Sequence, residues 1–159
     1  MSELKRVSLE ASRATIAAGT RMPTDPPPSS RIEVTVLVRR RPDSGGQARV
    51  DAVLEGHAPP LSREEFAMTL GAEPADLAQV EEFARSYGLQ VLEMNAARRV
   101  LRAAGTVAQI ETAFGTKLHT CGSEGATHIC YEGALTIPAS LEGIVEAVLG
   151  LDQRPVDRR

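Results

Sequence analysis

The sequence predicts an α+β fold of the ferredoxin-like (split βαβ) kind: an antiparallel sheet, two main helices on one face, an inserted hairpin and an extended N-terminal arm. One observation is the element order read from the residue periods, which is strand, helix, strand, strand, helix, strand. The other is size: 159 residues fit one domain, and 42% are hydrophobic but only 3% aromatic. The core is therefore expected to consist of Ala, Val, Leu and Ile.

The first strand is predicted at residues 32–40, where apolar and mixed positions alternate. Ile32 and the three valines that follow at every second position form one face, as in a half-buried strand. If this face meets the helices, Glu33, Thr35 and Leu37 lie on an open sheet face, to which we add Glu93 from a later strand. A slip of one residue would exchange the two sets. We expect a partner protein to dock on this open face.

The run of three arginines at 39–41 is interpreted as a solvated strand end, because it lacks the aromatic residues that accompany basic residues in a nucleic-acid site.

The residue pattern predicts three helices after this strand. A short one begins at Ser62 with a capping box and ends at Gly71. A longer one spans 74–87, with proline in its first turn and Gly88 as a left-handed stop. Thr106 begins the next, with Gln109 in the capping-box position, and Gly115 ends it.

The other strands are shorter. Residues 89–94 and 98–104 predict two strands around a turn, and 117–121 with 128–132 predict a hairpin around 122–125. Residues 144–151 fit a helix or a strand by composition, and their position and β-branched residues favour a strand. Residues 1–31 are predicted to be an extended arm without regular pairing, because they contain four prolines. The predicted core is 32–152, followed by a C-terminal tail at 153–159.

The sequence has few candidate catalytic or metal-binding residues. Cys121 and Cys130 flank the predicted hairpin symmetrically, so a disulfide and two reduced thiols are both open. With His119 and His128 they could form a zinc site, but their spacing does not match the common patterns. No nucleophile motif or phosphate-binding loop is present. We therefore predict no catalytic residue, cofactor or metal. A net charge of −3 and no long apolar run argue against nucleic-acid and membrane partners.

Several segments, taken in order, resemble the activation prodomain of the sedolisin (kumamolisin-type) serine-carboxyl peptidases. Each segment is short, but their order and spacing cover nearly the whole chain. They are RIEVTV at 31–36 with RRR at 39–41, LSREEF at 61–66, GA at 71–72 with Asp76, FA at 83–84 with GL at 88–89, AFG at 113–115, IPASL at 137–141, and VLGLD at 148–152 with Arg154-Pro155. The two cysteines are not part of this pattern.

The resemblance implies a non-catalytic propeptide that helps an acid-acting endopeptidase to fold, inhibits it and is removed on acid autoactivation. The cognate peptidase domain is then the partner, and the family's catalytic Glu, Asp and Ser belong to that domain. The sheet would dock on the enzyme, and Asp152, Arg154 and Pro155 would lead toward its cleft. The resemblance also implies secretion with the parent peptidase, although residues 1–13 lack the apolar stretch of a secretory signal.

Two other classes of function stay open from the residues alone. One is a free-standing ferredoxin-like binding or regulatory module of the cytoplasm. The other is a small enzyme, which the missing nucleophile and base constellation disfavours.

Overall fold

The computed structural model describes residues 5–16, 18–40, 51–60, 62–63, 71–123 and 126–151. Its strands and helices are, in chain order, β1 Arg6–Ala14, β2 Arg31–Val38, α1 Pro74–Ser86, β3 Gln90–Asn95, β4 Val100–Thr106, α2 Val107–Phe114, β5 His119–Ser123, β6 Ala126–Cys130, β7 Gly133–Pro138, a 3-10 turn Ala139–Leu141, and β8 Val145–Leu149. The short helix predicted between Ser62 and Gly71 lies largely outside the described residues.

The main sheet has four antiparallel strands in the order β3-β4-β2-β8. Because α1 connects β2 to β3 and α2 follows β4, this order is that of the predicted ferredoxin-like fold, which is confirmed. The alternation in β2 is also confirmed. Its core-facing residues Ile32, Val34, Val36 and Val38 are buried, whereas Glu33 is exposed and Thr35 and Leu37 are half-buried.

Both ends of α2 follow from local chemistry. Thr106 caps α2, since its hydroxyl accepts a hydrogen bond from the Gln109 N–H at 3.2 Å, and the Gln109 side chain accepts one from the Thr106 N–H at 2.9 Å. Gly115 ends α2 with a φ of 58°, where a Cβ would lie 2.2 Å from the Thr136 hydroxyl. The capping box and the left-handed glycine are therefore both used as the sequence predicts.

The end of β2 is tied to the start of α1 by a carboxylate. Arg39 donates two hydrogen bonds to Asp76, at 2.8 and 3.3 Å, and Asp76 is buried. Arg39 therefore lies at the strand end as predicted, but it is only partly solvated, at 37% exposure, because it contacts Asp76. Its partner is 37 residues away in sequence, and no local pattern in the arginine run could indicate it.

The N-terminal arm is the main correction to the predicted fold. Residues 6–14 were expected to lack regular pairing, but they form β1, which pairs antiparallel with β7, itself not predicted. Arg6 anchors the outer end of β1 by donating to the Thr136 hydroxyl at 3.0 Å and to the Tyr87 hydroxyl at 3.0 Å. The four prolines lie in the segment between β1 and β2, so they do not interrupt either strand.

The outer edge of β8 is closed by one side chain. The ladder between β1 and β7 is interrupted between Leu9 and Arg13, and the bulge places Ser12 beside Val148. The Ser12 hydroxyl accepts a hydrogen bond from the Val148 N–H at 2.7 Å and donates one to the Val148 carbonyl at 3.2 Å. We call this pair of bonds the Ser12 clasp. It satisfies the N–H and the carbonyl of Val148, which an edge strand otherwise leaves open.

The predicted hairpin is present as β5 and β6, with a shifted register. Cys121 lies opposite His128 and His119 lies opposite Cys130, so the two cysteines are diagonal neighbours rather than direct partners. They form a disulfide with a Cα–Cα distance of 6.0 Å. Of the two redox states that the sequence left open, the structure has the oxidised one.

Removing this disulfide by the double change Cys121→Ala and Cys130→Ala is expected to lower the free energy of unfolding by about 2–3 kcal/mol, as expected for a loop of about ten residues. Urea unfolding of the variant and of the oxidised wild type measures the difference. Wild type treated with reductant is the matched control, and it should fall to the same stability. Equal stability of oxidised and reduced wild type would show that the cross-link contributes nothing.

The segment after β1 lies along the hairpin. The Met22 N–H donates to the Thr120 carbonyl at 2.8 Å, and the Gly122 N–H donates to the Thr20 carbonyl at 2.8 Å. Further on, the His119 Nδ1 lies 3.1 Å from a carboxylate oxygen of Asp25. Because an ionised carboxylate only accepts hydrogen bonds, Nδ1 carries the proton in this contact. The hydrogen bond from His119 lowers the pKa of Asp25 below its ordinary value of 3.8.

This lowered pKa predicts a pH-dependent contribution to stability. A carboxyl group with a lowered folded-state pKa stabilises the fold above its unfolded pKa, and the contribution is lost as pH falls through the folded value. Asp25→Asn should therefore be less stable than wild type above the ordinary Asp value of 3.8, and the difference should shrink below that value and vanish once the pH has fallen through the lowered folded-state pKa. Thermal unfolding across pH measures it. A difference that stays constant into strong acid would contradict the assignment.

Candidate partner-docking surface

The open face of the four-stranded sheet presents side chains from all four strands. In the register, Thr35 lies opposite both Arg102 and Leu149, and Leu37 lies opposite both Val100 and Ala147. Because opposite residues in an antiparallel pair point to the same side, these side chains share one face. We call this surface the docking face, and it consists of Glu33, Thr35, Leu37, Glu93, Val100, Arg102, Ala147 and Leu149.

One half of the docking face carries charge. Arg102 lies between the two predicted carboxylates, 3.9 Å from a Glu33 oxygen and 3.7 Å from a Glu93 oxygen. All three side chains are about half exposed. Both distances are too long for hydrogen bonds, so these contacts leave the carboxylate oxygens able to accept bonds from a partner. The sequence predicts Glu33 and Glu93 as docking residues, which stays a prediction, and it does not indicate Arg102, because these contacts join three strands.

The other half of the docking face is apolar. Leu149 is 56% exposed, one of the few large hydrophobic residues so exposed among the described residues. Leu149 lies opposite Thr35, and the half-buried Ala147, Leu37 and Val100 form the adjacent row of the register across β8, β2 and β4. An apolar corner beside a charged one is a typical composition for a protein–protein contact, with an apolar centre and a polar rim.

The chain leaves β8 at the margin of this face. Leu151 is buried at 1% exposure, so it fixes the point from which the following residues start. Gly150 has a φ of 103°, and a Cβ there would lie 2.9 Å from the Glu33 carbonyl oxygen. Glycine therefore allows the turn that brings the chain past Glu33. The predicted tail residues Asp152, Arg154 and Pro155 lie outside the described residues, and their direction stays a prediction.

The residue types considered for chemistry are dispersed or engaged elsewhere. Both cysteines are in the disulfide, His119 contacts Asp25, and exposed His57 lies 3.7 Å from Glu55. Among the described residues, no group of three or more His, Cys, Asp or Glu could hold a metal ion. Over the same part of the chain, no helix has the length and apolar character needed to cross a membrane.

Fold and surface together define an α+β domain whose four-stranded sheet has one mixed polar and apolar face. The family model described as "Pro-kumamolisin, activation domain" matches residues 18–154. The chain therefore belongs to the pro-kumamolisin activation domain family. Kumamolisin of Bacillus sp. (strain MN-32) is 37% identical over 131 residues, which cover 80% of this chain and 24% of that protein. The chain thus spans about a quarter of that relative's length, and β1 precedes the family-matched residues.

Proposed function

We propose that this chain is the non-catalytic propeptide of a kumamolisin-type serine-carboxyl endopeptidase, and that it assists folding of the peptidase, inhibits it and is released in acid. The observation that carries the proposal is the family match, which includes every strand of the four-stranded sheet and therefore the whole docking face. The cognate peptidase domain is the partner, and it supplies the catalytic residues.

The docking face supports binding by two different contributions. Leu149 and its apolar neighbours can be removed from water, at about 25 cal/mol for each Å² of apolar surface buried. Glu33 and Glu93 can accept hydrogen bonds from main-chain N–H groups at helix N-termini on the partner, where the helix dipole favours negative charge. The charged half then gives orientation, while the apolar half gives most of the affinity.

Such a docked domain explains both proposed activities. A large peptidase with many non-local contacts folds slowly, and a preformed sheet offers a surface on which it can assemble. A propeptide that binds the folded peptidase but not the unfolded chain also stabilises the folded peptidase by mass action. The residues after Leu151 start from a fixed point at the margin of the docking face, which suits a linker that continues toward the active-site cleft and blocks it.

Acid release follows from the charged half. A carboxyl group that is protonated in acid no longer has the negative charge that a helix N-terminus favours. The positive charge of Arg102 would then have no carboxylate beside it, and covering an uncompensated cation with a partner surface is unfavourable. Both effects weaken docking as the pH falls. The disulfide agrees with an exported protein, because such bonds persist in oxidising compartments.

Replacing Glu33 with glutamine tests this mechanism. One charge-assisted hydrogen bond contributes about 1.5–3 kcal/mol, so Glu33→Gln should weaken docking by about tenfold or more at neutral pH. Wild type should bind more weakly at about pH 4 than at about pH 7, and the variant should show a smaller change. The measurement is binding to the parent enzyme's peptidase domain, made inactive by substitution of its nucleophile.

The matched control is Glu55→Gln, whose side chain is 65% exposed against 57% for Glu33 and lies outside the sheet. It should leave affinity unchanged at both pH values. If Glu33→Gln binds like wild type at both values, Glu33 is not part of the pH response. If wild type binds no more weakly in acid, the release mechanism is wrong.

A further inference from the structure

The N-terminal strand contacts the docking face through its edge strand. β1 lies before the family-matched residues 18–154, yet its Ser12 clasp holds Val148 in β8. Tyr131 fixes the clasp by donating its hydroxyl proton to the Ser12 carbonyl at 2.9 Å, and Ser12 is itself 4% exposed. A strand outside the family-matched region is therefore built into the margin of the surface that the proposed function uses.

Val148 is the link between β1 and the docking face. Its side chain points into the core, and its neighbours Ala147 and Leu149 point to the docking face. On one side β8 pairs with β2, whose register shifts between Leu37 and Val38. On the other side the Ser12 clasp binds the N–H and the carbonyl of Val148. Without the clasp, both groups would lie open at the edge and β8 would fray more easily.

Among the described strands, β1 pairs with β7 and with no strand of the four-stranded sheet. Leu9 and Ser12 are buried in its middle, and the ladder with β7 is interrupted between Leu9 and Arg13. Arg6 holds its first residue through Thr136 and Tyr87. An exposed turn at Ala18 and Gly19 follows the strand. Because every ladder of the four-stranded sheet forms without β1, displacement of β1 leaves that sheet paired.

We propose that β1 is a latch that sets the affinity of the docking face for the peptidase. With β1 in place, the Ser12 clasp keeps β8 ordered, and Leu149 and the chain after Leu151 hold their positions for docking. With β1 displaced, β8 loses its edge contacts and the docking face loses its apolar corner. Ser12 is thus a positioning residue for Leu149. The identity of the docking partner rests on the proposed function. The effect of β1 on the order of β8 does not.

The test compares Ser12→Ala with Ser8→Ala in the full chain. Ser8 is exposed on the same strand and is the matched control. Hydrogen exchange of the amides at 147–149 should be at least about tenfold faster in Ser12→Ala, and docking to the inactive peptidase domain should weaken by about tenfold, within the usual range of coupling between sites. Ser8→Ala should change neither. Ile110→Val, a core change in α2, should lower stability without weakening docking.

A second arm uses a cut chain. A recognition sequence for a specific protease is inserted between Ala18 and Gly19 and cut after folding, and an excess of synthetic peptide corresponding to residues 5–16 is added or withheld. Docking should weaken when β1 dissociates and recover with the peptide, but not with a peptide in which alanine replaces Ser12.

Two results for the Ser12→Ala variant would overturn the latch. One is unchanged hydrogen exchange at 147–149, and the other is faster exchange with wild-type affinity for the peptidase domain. If wild type itself fails to bind the peptidase, the proposed function fails, and the exchange data still decide whether β1 controls β8.

Discussion

Replacing Phe114 with alanine is expected to lower the free energy of unfolding by about 3–5 kcal/mol, in the range for large-to-small changes of buried aromatic residues. Phe114 is 1% exposed and lies against Phe83, with ring centroids 5.7 Å apart. The protein has only three phenylalanines and no tryptophan, so its small aliphatic core residues cannot refill the cavity well. Since domains have a total stability of about 5–15 kcal/mol, the variant should be close to its unfolding limit.

Urea unfolding followed by circular dichroism measures this loss. Leu54→Ala is the matched control, because Leu54 is 79% exposed and its truncation removes little buried surface. It should change stability by less than about 0.5 kcal/mol. A loss below about 1 kcal/mol for Phe114→Ala would mean that the core between α1, α2 and the sheet collapses into the space and is less rigid than its packing indicates.

Replacing Leu149 with aspartate is expected to weaken docking to the peptidase by about 100-fold or more, which corresponds to about 2.7 kcal/mol. Leu149 is the exposed apolar residue of the docking face, so the change puts an unpaired carboxylate where the partner would exclude water. Because Leu149 is 56% exposed in the free chain, the variant should stay folded. Binding to the inactive peptidase domain, together with the inhibition constant for the active enzyme, measures the effect.

Leu54→Asp is the control for a new charge at an exposed leucine outside the sheet. It should bind and inhibit as wild type does. If Leu149→Asp keeps full affinity while remaining folded, the peptidase does not contact the apolar corner, and docking on this face is wrong whatever the effect of Glu33→Gln.

The parts of the fold that sequence reasoning predicted are those with local chemical signals. The alternation of β2, the capping box of Thr106 and the glycine stop at Gly115 each lie within a few residues, and each acts in the structure as the pattern predicts. Their order along the chain was then enough for the ferredoxin-like arrangement. The outward orientation of Glu33, Thr35 and Leu37 followed from the same alternation, whereas docking of a partner on that face stays a prediction.

The parts that were missed depend on contacts between distant residues. The strand β1 pairs with β7 across more than 100 residues, and only two of its side chains are buried, so its own pattern is weak. The role of Arg102 needs β2, β3 and β4 to be aligned before Glu33 and Glu93 become its neighbours. The hairpin register shows the same limit, because symmetric placement of two cysteines about a turn does not determine which residues face each other.

The contacts of β1 also have a spectroscopic consequence. The chain contains two tyrosines and no tryptophan. The Tyr87 hydroxyl accepts a hydrogen bond from Arg6 at one end of β1, and the Tyr131 hydroxyl donates one to Ser12 near the other. Every intrinsic near-ultraviolet chromophore stronger than phenylalanine, apart from the disulfide, therefore touches this one strand. Tyrosine emission and near-ultraviolet dichroism should change when β1 leaves its site, so the unlabelled protein reports the position of its own N-terminal strand.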